Sequence, residues 1–87
     1  MTDTKITLYR MVNHRVRYYT LAIYNTLFGE YMFIRENGSV KNKKPTKVIK
    51  EYYTTANQAI DVFKIKLQER YKRGYTLNKK ELQEDSI

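Results

Sequence analysis

Hydrophobic and polar positions alternate loosely through residues 4–12, TKITLYRMV, and again through residues 15–24, RVRYYTLAIY. Both stretches are rich in β-branched and aromatic residues, and Asn13-His14 between them has turn chemistry. The pattern predicts a hairpin. A second connection runs from Asn25 to Gly29. Residues 30–35, EYMFIR, predict a third strand, with Tyr31, Phe33 and Arg35 on one side and Met32 and Ile34 on the other. Asn37-Gly38 supplies the residues that a tight turn with positive φ prefers. Residues 41–47 predict a loop, because Pro45 has no N–H to donate to a ladder. Residues 48–53, VIKEYY, predict a fourth strand.

The period then changes from two to that of a helix. Thr55 followed by Gln58 has the form of a capping box. From there Ala56, Ala59, Ile60, Phe63, Leu67 and Tyr71 draw one apolar stripe. Arg70, Lys72 and Arg73 fall in the last turn, where cations oppose the helix dipole, and Gly74 is placed to end the helix as its C′ residue. The expected helix covers residues 56–73. The expected fold is α+β, a small antiparallel sheet of about four strands with one C-terminal helix packed on it. The stripe reads as core, since so small a domain has no other large apolar face to cover its sheet. One domain over residues 4–75 and a polar tail over residues 76–87 are expected.

Charge changes the picture. The chain has 87 residues and a net charge of +8. Residues 1–75 hold fifteen bases and six acids, net +9, whereas residues 76–87 are net −1. The body is thus more basic than the whole. Five lysines, Lys41, Lys43, Lys44, Lys47 and Lys50, follow the Asn-Gly step with no acid between Glu36 and Glu51. A basic body with a cationic loop suits a polyanion and disfavours a mimic of nucleic acid. The blander explanation is a solvated loop, the usual fate of a charge run.

Little points to catalysis. His14 is the single histidine and sits in the expected turn, where it reads as a surface residue. No HExxH, GxSxG or phosphate-loop pattern is present. Glu30 and Glu36 lie at opposite ends of the third strand, not as a working pair. No cysteine is present, which excludes a disulfide framework and a thiolate metal site. No cofactor or metal is expected. No apolar run is long enough to span a membrane. Met1-Thr2-Asp3 starts no signal-peptide pattern, so a cytoplasmic protein is expected. Nine tyrosines and no tryptophan stand out. Some must be core; Tyr75, after Gly74 and two bases, reads as a ring folded back onto the helix end, with base stacking as the alternative.

The order of these features resembles the WGR domain. Leu27-Phe28-Gly29-Glu30-Tyr31 is similar to the Leu-Phe-Gly-(Asp/Glu)-Trp/Tyr approach to the motif strand in bacterial members. Arg35-Glu36-Asn37-Gly38-Ser39-Val40 aligns with Arg-x-Trp-Gly-Arg-Ile. Tyr53 to Ala59 looks like the family's helix start, and Arg70-Tyr71-Lys72-Arg73-Gly74-Tyr75 like its ending. Asn37-Gly38-Ser39 stands where the family has Trp-Gly-Arg, so only the glycine remains. The resemblance implies a WGR-like sheet and helix, and a non-enzymatic module that binds nucleic acid, DNA more readily than RNA. The implied contacts are Asn37, Gly38 and Ser39 at the motif, with Arg35 either at the base of the loop on a phosphate or paired with Glu30 or Glu51 across the sheet. Lys41, Lys43, Lys44 and Lys47 are expected on phosphates, and Lys72 and Arg73 form a second patch. A protein-interaction module that has lost the family's DNA-end contact is the alternative.

Overall fold

The computed structural model describes residues 4–77, and the expected tail beyond them and the first three residues lie outside that range. Four strands form one antiparallel sheet in sequence order: β1 (Thr4–Val12), β2 (Arg15–Asn25), β3 (Tyr31–Ser39) and β4 (Lys47–Tyr53). One helix, α1 (Ala56–Lys72), lies across β2, β3 and β4. Asn13 and His14 take φ of 50° and 67°, the mirror-image turn geometry that matches strand twist, and they place Val12 opposite Arg15. Gly29, at φ +80°, closes the β2–β3 turn, where the Thr26 hydroxyl accepts from the Phe28 and Glu30 amides.

The third strand corrects the sequence expectation. It continues through Asn37-Gly38, which form no tight turn; Gly38 lies opposite Tyr18, and its φ is not in the left-handed region. The glycine is needed for space instead. A Cβ there would meet the Thr46 amide nitrogen at 3.1 Å and Pro45 Cα at 3.3 Å. The chain reverses over residues 40–46, with Thr46 N donating to Asn37 O at 2.7 Å.

Opposite residues in an antiparallel pair share a face. One face carries Leu8, Tyr19, Leu21, Ile23 and Phe33, which form the core with Ala59, Phe63 and Tyr75. Phe33 and Phe63 meet edge to face at 6.1 Å. The helix stripe differs from the expected one. Ile60 and Tyr71 are exposed, whereas Val62 packs with Leu67 against the core. The helix is rotated so that Arg70, not Tyr71, comes down over the sheet; its guanidinium sits 4.2 Å above the Tyr19 ring.

Both helix ends follow capping rules. Thr55 Oγ accepts from the Gln58 amide at 3.2 Å. The Gln58 side chain accepts from the Thr54 hydroxyl, so the reciprocal half of the box is replaced by a neighbour. Thr55→Ala is expected to lower stability by about 1 kcal/mol in chemical denaturation. An unchanged midpoint would show that Thr54 and Gln58 hold the end alone. At the other end, Gly74 takes φ +94°, its amide donates to Tyr71 O, and the Tyr75 amide donates to Arg70 O. That bonding is a Schellman motif, and it folds the Tyr75 ring into the core as expected. Thr76 then pairs with Tyr9 through two backbone bonds of 2.8 Å each, a single bridge on the outer edge of β1.

Candidate nucleic-acid interface

The connections place charge at one end of the sheet. The β1–β2 turn and the β3–β4 loop share an end, and the β2–β3 turn lies at the other, because each strand reverses direction. Lys41, Lys43, Lys44 and Lys47 are exposed at the first end. Their backbone is held rather than loose. Val40 N donates to Val16 O, Lys41 N donates to Ser39 Oγ, and Asn42 N donates to Ser39 O.

Register supplies what the lysine run alone did not show. Arg10 lies opposite Arg17, and Arg17 lies opposite Ser39. All three stand on the helix-bearing face, as does Asn37, which is opposite Tyr19. Arg10 also reaches the helix end: its Nη1 donates to the Arg73 carbonyl at 2.7 Å. A continuous basic band therefore runs from Lys72 and Arg73 through Arg10 and Arg17 to Ser39 and the loop. Arg15 borders it beside the turn. The helix-end patch and Lys47 of the loop thus share one face. The missed residues had a signal: a two-residue turn at Asn13-His14 fixes the pairing of Arg10 with Arg17 three steps up the hairpin.

Aromatic rings take the place of carboxylates in this band. Arg70 stacks on Tyr19, and the Arg10 guanidinium lies 5.0 Å from the Tyr75 ring centre. Tyr19 and Tyr75 meet edge to face at 5.8 Å. These contacts hold the arginines in place without cancelling their charge. Among the described residues, Arg10, Arg17, Lys47 and Arg70 join no carboxylate, whereas Arg35 pairs with Glu51 and Lys66 with Glu69. The Nε atoms of Arg10 and Arg70 are buried with no acceptor among the described residues.

Arg35 departs from its expected place at the base of the loop. It lies opposite Ile49, within the helix-bearing face, with its side chain only 16% exposed and 3.8 Å from Glu51. Strand continuation through Asn37-Gly38 moves the loop four residues beyond it. Beside this pair, burial raises the Tyr53 phenol above its ordinary value of 10.0, the Glu51 carboxylate adds to that, and Arg35 opposes it. Gly38 also leaves the candidate contact set, because its free side is closed by Pro45 and Thr46. Asn37 and Ser39 remain with the band.

No helix among the described residues is long and apolar enough to cross a membrane. None of the curated proteins and none of the solved structures gives a significant match to the chain. The family model for the WGR domain, by contrast, matches residues 4–82, and a match over nearly the whole length, on a four-stranded sheet closed by one helix, makes this chain a member of the WGR domain family.

Proposed function

We propose that this chain is a binding module rather than an enzyme, and that it grips the phosphates of nucleic acid, DNA in preference to RNA, on the basic band. WGR domains are in general nucleic-acid-binding modules. The observation that carries the reading is the register, which joins Lys72 and Arg73 to the lysine loop through Arg10 and Arg17, neither of which pairs with a carboxylate among the described residues. Charge of this kind positions a duplex and reads little sequence. Asn37 and Ser39, where the family carries Trp and Arg, offer an amide and a hydroxyl to a sugar or phosphate but no stacking surface.

The test is anisotropy with labelled DNA and RNA across a salt series, on the wild type and on Lys41→Gln, Lys43→Gln, Lys44→Gln and Lys47→Gln combined. Affinity is expected to fall for every sequence alike. The slope of log affinity against log salt is expected to flatten by roughly 0.7–0.9 for each phosphate contact removed, about 3 in all. The fold is expected to be unaffected, since these side chains are exposed. Unchanged affinity refutes the loop, and absence of binding at low salt refutes the reading itself. One feature favours a protein partner instead: Leu27 and Phe28 are 100% and 88% exposed at the tip of the β2–β3 turn. A chain that ignores nucleic acid at every salt concentration supports that alternative.

A further inference from the structure

The sheet has a second face, and no described helix covers it. An uncovered antiparallel face is ordinarily polar. This one is aromatic. Register draws two rows across it: Tyr9, Tyr18 and Gly38 in one, and Tyr24, Met32 and Tyr52 in the other. The rows stand six residues apart on β2, a span of roughly 20 Å. Between them lie small or buried residues, Thr20, Ala22 and Ile34, which make a low floor. Tyr52 is 55% exposed, and Tyr9, Tyr18 and Tyr24 are partly exposed. A partly exposed tyrosine offers a flat ring to a partner.

Charge on the same face selects the partner. Lys50 is exposed on β4 beside the second row, and Lys5 is exposed on β1. The lysine loop closes over the end of the first row. Pro45 and Thr46 lie against the side of Gly38 that faces this way, with the Tyr18 ring beside them. Glu36 is the acid on this face among the described residues.

We infer that the open face is a stacking platform for single-stranded nucleic acid, with bases on Tyr24 and Tyr52 and the phosphates passing Lys50 and the lysine loop. The inference rests on the proposed nucleic-acid reading and adds a substrate class to it. A duplex does not serve here, because its bases are already stacked and their faces are closed. Flat rings joined to cations on a sheet are the means by which unpaired bases are held without regard to sequence.

The experiment compares the wild type with Tyr24→Ala/Tyr52→Ala on a labelled oligothymidylate and on a blunt duplex hairpin of equal charge. Each lost ring is expected to weaken single-strand binding roughly tenfold. Duplex affinity and the salt slope are expected to be unchanged, because no charge is removed. Melting by circular dichroism checks that the double variant folds, and Tyr52→Ala alone serves if it does not. With no tryptophan in the chain, quenching of tyrosine emission by the oligothymidylate is a second readout on the wild type. Wild-type binding to the duplex but not to the single strand overturns the platform and leaves the basic band standing. Binding to neither overturns both. Equal losses on the two ligands also overturn it. Self-association abolished by the same substitutions assigns the face to a second copy and overturns it too.

Discussion

Phe33→Ala is expected to lower stability by about 3–5 kcal/mol, enough to unfold many domains of this size. Phe33 is fully buried near the start of β3, and its ring meets Phe63 of the helix edge to face. Truncation removes the ring through which the sheet meets Phe63 and leaves a cavity between sheet and α1. Phe63→Ala is expected to cost a similar amount. The double variant is expected to fall short of the sum by about 0.5–1.5 kcal/mol, the share owed to the pair itself. Denaturant midpoints measure all three. A loss of under 1 kcal/mol for Phe33→Ala would mean that the helix does not seat on the sheet in this way.

Gly38→Val is expected to destabilise by about 1–3 kcal/mol, through overpacking rather than a strained φ. The atoms it meets are backbone: the Thr46 amide nitrogen at 3.1 Å and Pro45 Cα at 3.3 Å. Backbone held by the Thr46–Asn37 hydrogen bond yields little. Asparagine separates the two explanations. In a left-handed turn Asn replaces Gly at little cost, whereas at a close approach Gly38→Asn fails as Gly38→Val does. Melting temperatures of the Ala, Asn and Val variants, falling in order of side-chain bulk, are the expected result. A tolerated Asn would restore the turn and shorten β3.

That glycine also shows where local reading stopped. Asn-Gly is turn chemistry, and residues 36–39 have no alternation to contradict it. What decides the matter is a long-range fact, that β2 is long enough for Tyr18 and Arg17 to pair with Gly38 and Ser39. The first hairpin, the helix and its caps were legible because their signals are local: a two-residue turn, a change of period, Thr55 at one end and Gly74 at the other. The helix face was legible to within a rotation. Ile60 and Tyr71 fit the period, but Tyr19 beneath the last turn accepts a flat guanidinium from Arg70, and so Val62 faces inward instead. The lysine loop was visible as a run. The band was not, because Arg10, Arg17 and Ser39 become neighbours only across two hairpins.

The β2–β3 turn has a consequence for how many ligands the domain can hold. Its tip is built firmly, with Thr26 bonded across to Glu30 and Gly29 in the left-handed region, yet Leu27 and Phe28 project from it into water. It stands a full strand length from Arg17 and the lysines. A molecule seated on those two side chains leaves the basic band uncovered, so occupants of the two places would not compete. A single partner that spans the tip and the band would meet its second site at a raised effective concentration, and avidity would follow from geometry without any new contact.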